Sequence, residues 1–185
     1  PVINFNGSSH YLENTSLASS GTKLSVFAVA STNTTTSYHR IINNENNFYF
    51  GLAGDGGTAM NFCSFYGNDS GWNTVSDHGN LGKLTAGTYY ILSSINNGVT
   101  DSPFFNGTAL SPRADVMATF SDGYTFGMAP GGTIQGWNGN IAEVIIYSSA
   151  LATQEREDVE KYLSFKWNVP RYPGDIGKVS IDTAG

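Results

Sequence analysis

The sequence predicts an all-β fold, a sandwich, jelly roll or barrel of short antiparallel strands with a single helix near its end. Three observations carry that prediction. The 185-residue chain is poor in charge (13%) and rich in aromatics (13%) and glycine (22 residues), which suits half-buried pleated strands and tight turns better than solvated helices. Short apolar runs recur along it, each separated from the next by Gly, Asn, Ser or Asp. Finally, charge is concentrated in one place. Eight of the 24 charged residues (9 Lys+Arg and 15 Asp+Glu) fall between Asn138 and Val169.

Taken in order, PVINFNGSSHYLE (1–13) reads as a strand, a Gly-Ser turn and a second short strand. In TKLSVFAVAST (22–32), Leu24, Val26, Ala28 and Ala30 share one face and Phe27 and Val29 the other, so both faces of this strand are expected to be covered. A polar loop follows. Residues 38–57 read as strand, Asn-rich turn, strand and Gly-rich turn, and TAMNFCSFYG (58–67) as another strand. NDSGWNTVSDHGNLG (68–82) is a polar loop of fifteen residues, long enough to be a functional suspect. GTYYILSSIN (87–96) and SPFFNGTAL (102–110) each read as one strand, and YTFGMAPGG (124–132) follows. GNIAEVIIY (139–147) is the most apolar of all. Alternation puts Ala142, Val144 and Ile146 on one face and Ile141, Ile145 and Tyr147 on the other, as in a central strand whose Glu143 needs a partner or an edge.

The period then becomes helical. Val159, Tyr162, Leu163 and Lys166 fall at i, i+3, i+4 and i+7, an apolar stripe for docking, with the charged residues expected in water. Glu155 and Glu157 sit in the first turn and Lys166 near the end, both favourable to the helix dipole. Glu157 and Lys161 are spaced for an i,i+4 ion pair, and Pro170 stops the helix.

The net charge of −6, with no Lys/Arg cluster, argues against nucleic acid and against anionic membranes. No apolar run reaches the 18 residues of a spanning helix, and the first residues lack a signal-peptide pattern. Pro1 in place of Met reads as a processed chain or a stretch of a longer product. Cys63, between aromatics, reads as a small buried hydrophobe.

Catalytic sets are not expected. The dense acidic cluster Glu155–Glu160 follows the helix surface, and Glu143 and Asp115 stand alone on strands, so a flanking carboxylate pair is missing. Ser76, Asp77 and His78 are adjacent and cannot form a triad by adjacency. His10, His39 and His78 are scattered without metal spacing. No metal and no cofactor is expected. Calcium would be the weak exception, through Asp55, Asp69 or Asp122, each also an ordinary turn residue. Trp72, among Gly, Asn and Ser, reads either as a cover for the sandwich edge or as the candidate stacking platform for a glycan, with Asp69 and Asn73 beside it.

The stretch WNGNIAEVIIYSSALATQEREDVEKYLSFKW (137–167) resembles the closing signature of the laminin-G-like, concanavalin A-type jelly rolls found in bacterial and phage proteins. INFNGSSHYLE (3–13) is similar to their opening strand pair, and SPFFNGTAL to a mid-domain strand ending in Asn-Gly. The resemblance covers about residues 2–169. It implies a two-sheet antiparallel β-sandwich of concanavalin A-like jelly-roll type with one short C-terminal helix. Ala152 replaces the helix-capping Ser of the pattern, so Thr153 or Ser149 is the expected cap. Asn4 and Asn6 flank Phe5 where relatives sometimes carry acidic residues, which weakens any calcium site.

The expected organisation is a domain over 1–170 and an extended arm over 171–185, with Arg171, Tyr172, Ile176, Val179 and Ile181 as candidate partner-binding residues. The expected function is a non-enzymatic structural or binding module on a phage virion surface, a capsid decoration or tail-associated protein that self-associates with virion or surface partners. The alternative is a carbohydrate-binding module or adhesin of a secreted bacterial protein. Either places the chain on a virion surface or outside the cell.

Overall fold

In the computed structural model the described residues are 1–16, 21–34, 38–44, 48–54, 60–65, 84–117, 123–129 and 135–171. Their strands are β1 (Ile3–Asn6), β2 (Leu12–Asn14), β3 (Leu24–Thr32), β4 (Tyr38–Asn44), β5 (Phe48–Gly54), β6 (Met60–Phe65), β7 (Tyr89–Asn96), β8 (Thr100–Phe105), β9 (Thr108–Ala109), β10 (Arg113–Ala114), β11 (Tyr124–Phe126) and β12 (Asn138–Tyr147), followed by helix α1 (Thr153–Trp167). They form two antiparallel sheets, a seven-stranded one in the order β1-β12-β3-β7-β8-β10 with β9 on β8, and a five-stranded one, β2-β11-β4-β5-β6. The two-sheet sandwich with one C-terminal helix is therefore as the sequence predicts.

The alternation in β3 is reproduced residue for residue. Leu24, Val26, Ala28 and Ala30 join Phe48, Phe50, Leu52 and Trp137 in the core between the sheets. Phe27 and Val29 join Ile91, Ile95 and Leu163 in a second core under α1. This strand is buried on both faces because one faces the other sheet and the other faces the helix.

Three local readings are corrected. First, β12 carries a bulge between Ile141 and Glu143, where its pairing with β3 slips. The extra residue inverts the alternation. Ile141 therefore lies in the inter-sheet core with Val144 and Ile146, while Ala142 joins Ile145 under the helix. Second, SPFFNGTAL is a hairpin, with β8 and β9 paired across Asn106-Gly107. Both turn residues have positive φ, 47° and 77°, as a type I′ turn requires.

Third, the charged helix does not keep all its charge in water. Arg156 and Glu160 face the sheet and are 5% and 0% exposed, whereas Tyr162 and Phe165 are 46% and 70% exposed. Arg156 Nη1 donates to Glu160 Oε2 at 2.5 Å and its guanidinium lies 3.9 Å from the Phe104 ring centroid. Ser93 Oγ, on β7, donates to Glu160 Oε1 at 2.5 Å. The carboxylate of Glu157 pairs with Arg156 at 3.1 Å, taking the place of the expected Lys161 pair. No side chain caps the first turn; the Ala152 N–H donates to Glu155 Oε2 at 2.7 Å instead. Asn168 closes the other end in the left-handed conformation, two residues before Pro170.

Candidate functional site

Two Asn-x-Asn triplets, Asn4-Phe5-Asn6 on β1 and Asn138-Gly139-Asn140 on β12, lie side by side. Antiparallel pairing sets Asn4 opposite Asn140 and Asn6 opposite Asn138. Phe5 points into the inter-sheet core, so strand alternation turns the four amides to the outer face of the seven-stranded sheet. Gly139 keeps the strands close. Its φ is +148°, and a Cβ there would meet the Ser31 carbonyl oxygen at 2.1 Å.

The amides are bonded in rows across the strands. Asn4 Nδ2 donates to Asn140 Oδ1 at 2.9 Å, and Asn140 Nδ2 to Ser31 Oγ at 3.5 Å. Ser31 in turn pairs with Tyr89, whose ring is half-buried. In the second row, Asn33 Nδ2 donates to Asn138 Oδ1 at 3.4 Å. Asn6 Oδ1 accepts from the backbone N–H groups of Ser8, Ser9 and His10 at 3.0, 2.9 and 3.1 Å, which fixes its side chain at the turn. The array is neutral and open to solvent at Asn4, Asn6 and Asn33. Each primary amide offers two donors and two acceptor lone pairs, so a row of them can accept from and donate to neighbouring hydroxyls at once.

Further along β12, Glu143 ties the same face to α1. Trp167 Nε1 donates to its Oε2 at 2.6 Å, while Lys166 Nζ and the Tyr162 hydroxyl donate to Oε1 at 3.0 and 3.1 Å. Burial works to raise the Glu143 pKa, but the hydrogen bonds from Trp167, Lys166 and Tyr162, with the Lys166 charge, outweigh it and hold the carboxyl below its ordinary range. The strand glutamate thus has its expected partner, and its role is to anchor the helix.

A different polar cluster lies on the outer face of the five-stranded sheet. Arg40 lies 4.9 Å from the Tyr49 ring centroid and donates through Nε to Gln135 Oε1 at 2.5 Å and through Nη1 to Asn43 Oδ1. Burial lowers its pKa from the ordinary arginine value, with Tyr49 opposing. At 4% exposure Arg40 is closed off from solvent, unlike the exposed Asn4 and Asn6 of the asparagine array.

Trp72, Asp69 and Asn73 lie outside the described residues, as do Ser76, Asp77, His78, Asp55 and Asp122, the arm residues Tyr172, Ile176, Val179 and Ile181, and the side chain of Cys63. Arg171 is described, and its Nη1 donates to the Glu157 carbonyl at 2.7 Å. Asp115 is buried and ion-paired with Arg113 at 3.2 Å. His39 is a core residue, its Nδ1 2.9 Å from the Gly136 carbonyl oxygen and its ring edge-on to Trp137. Among the described residues, no group of three His, Cys, Asp or Glu side chains could hold a metal ion. In sequence, Asn4 and Asn6 stood out only as the pair flanking Phe5, in relation to calcium. The usable signal was the repeated Asn-x-Asn on two strands, but their pairing is a long-range fact.

No protein-family model matches the chain, and no curated protein sequence matches it. Solved structures do. A heptameric SAP-like pentraxin from Limulus polyphemus superposes with a TM-score of 0.65 at 15% identity, over 85% of this chain and 80% of the pentraxin chain. The chain is a jelly-roll β-sandwich. The jelly roll also matches a Bacteroides ovatus protein described as carbohydrate binding (TM-score 0.58, 16% identity, 83% of this chain and 44% of that one). It further matches domain 4 of AbnA, an extracellular arabinanase of Geobacillus stearothermophilus, solved with arabinotriose (TM-score 0.55, 17% identity, 76% of this chain and 68% of that one). At these identities the likeness speaks for the fold, and this chain spans less than half of the Bacteroides protein.

Proposed function

We propose that this jelly roll is a non-catalytic carbohydrate-binding module whose asparagine array reads sugar hydroxyls. The observation that carries the reading is the alignment of four neutral amides from two strands, Asn4 and Asn6 exposed and Asn138 and Asn140 half-exposed, on one face of the sheet. Neutral sugars present alternating hydroxyl donors and acceptors, which such rows can match without desolvating a charge. The Bacteroides ovatus and AbnA structures are described with carbohydrate binding and a bound oligosaccharide respectively, which favours the glycan reading. The virion-decoration reading has no comparable support and stands behind it. Glu143, Asp115 and Glu160 are each committed to structural partners, which leaves them unsuited to acid–base work. On this reading the module operates outside the cell, where glycans are accessible.

The test is a glycan array read with the wild type, Asn4→Ala/Asn140→Ala and Trp72→Ala. Loss of one or two hydrogen bonds of about 0.5–1.5 kcal/mol each predicts roughly tenfold weaker binding for the double variant. If Trp72→Ala abolishes binding while the double variant binds normally, the site belongs to the Trp72 loop and the array reading fails.

A further inference from the structure

Strand β12 is paired with β3 from Gly139 to Tyr147, but with β1 only from Asn138 to Ile141. Among the described residues, Ala142–Tyr147 therefore has no strand on its second side, although it belongs to the most apolar strand of the fold. The open edge stands over a cleft of about 560 Å³ between the two sheets, lined by Ile3, Phe5, Leu12, Phe126, Val144 and Ile146 among others. At its mouth Ile3 and Leu12 are 50% and 48% exposed. A free edge beside an apolar trough is the setting for strand addition, in which backbone groups supply affinity and alternate side chains fill the pockets.

We propose that this slot takes the C-terminal segment Gly177–Ile181 of a second copy of the chain, giving a dimer closed by two exchanged arms. Three observations select that occupant. The first is spacing. The inward-facing residues along the open edge of β12 are Val144 and Ile146, and the arm carries Val179 and Ile181 at the same interval, the spacing of one strand face. The second is charge. Laid parallel to β12 with Val179 and Ile181 beside Val144 and Ile146, the arm brings Lys178 next to Glu143.

The third is where the arm leaves the sandwich. Arg171 is bonded to the Glu157 carbonyl, whereas Tyr162 and Lys166 reach Glu143. At 100° per residue these lie on opposite flanks of α1. The arm thus departs on the side of the helix away from the β12 edge and would have to pass around the helix to reach its own slot. The fourteen residues 172–185 extend roughly 45 Å at about 3.3 Å each, enough to cross to a neighbour. Exchange of identical segments is a low-cost route to a two-fold dimer.

The experiment is light scattering on the wild type, on a chain ending at Arg171 and on Val179→Asp/Ile181→Asp, with hydrogen exchange of the Ala142–Tyr147 amides in each. The double variant keeps the full chain length and alters only two apolar residues of the arm. The expected result is a dimer for the wild type and monomers for both variants, with exchange over 142–147 at least tenfold faster in the monomers. A wild-type monomer at tens of micromolar overturns the proposal, whether or not the edge is protected. So does a dimer that survives loss of the arm. Glycan binding plays no part in these readouts, so this proposal and the function above fail independently.

Discussion

The outer face of the seven-stranded sheet has two halves built on the same strands, and they solve opposite problems. Under α1, β3 and β12 present Phe27, Val29 and Ile145, and the helix seals them from water. A few residues along, the same strands present Ser31, which is buried, and the half-exposed Asn138 and Asn140, and this half is bare of the helix. In the sealed half, a charge must be closed off completely. Arg156 is matched by Glu160 and the Phe104 ring, and Glu160 also accepts from Ser93, because leaving either ion alone out of water is costly. In the bare half the polar groups are neutral and already hydrated, so exchanging water for a ligand hydroxyl is nearly isoenergetic. The sealed half supplies rigidity, and the bare half supplies a surface that can bind.

The largest effect should come from breaking the sealed half. Glu160→Ala removes the buried carboxylate from Arg156, leaving it only the partly exposed Glu157, and is expected to cost about 3–5 kcal/mol, measured as a shift in urea midpoint. Replacing both partners, Arg156→Met with Glu160→Leu, should recover most of that loss. If the double variant is as unstable as the single one, the pair contributes net stability and the reading of it as a closed-off charge is wrong. Leu163→Ala, in the apolar part of the same contact, should cost about 2–5 kcal/mol.

The bare half should respond in the opposite sense. Asn4→Ala/Asn140→Ala is expected to change stability by no more than about 1 kcal/mol while glycan affinity falls tenfold. A large stability loss would mean that the rows hold β1 in place and are not a recognition surface.

The smallest effect concerns the junction of the halves. The Glu143 carboxyl is held below its ordinary range in the folded protein, so between the folded and unfolded values the unfolded chain binds more protons. The stability from this group is then fully present above the unfolded value of about 4.3 and is lost as pH falls through the folded value. Urea midpoints at pH 6 and pH 3.5 should differ less for Glu143→Gln than for the wild type. Equal differences would show that Glu143 does not link the helix to acid stability.

The sequence was informative where physics is local. Alternation in TKLSVFAVAST sorted β3 into its two faces because side chains in a strand alternate whatever lies beside them. The change to helical spacing after Ala152 and the stop before Pro170 were visible for the same reason. Periodicity placed Leu163 correctly, but it also placed Tyr162 in the docked stripe and Arg156 and Glu160 in water. A single helix cannot reveal that Ser93 and Phe104 wait beneath it to receive an ion pair. Likewise, Asn4 and Asn140 are 136 residues apart, and neither triplet indicates that the other is its neighbour.

By itself, then, the sequence determined the strands, the helix and the two-sheet class, since each follows from the spacing of apolar residues and from turn chemistry within a few positions. Only the tertiary structure decided the bulge that turns Ile141 inward, the alignment of the asparagines, the burial of Arg156 with Glu160 and the open edge of β12. Each of these depends on which strand lies beside which, and in what register. That register is set by the summed packing of two sheets and a helix rather than by any short stretch of chain.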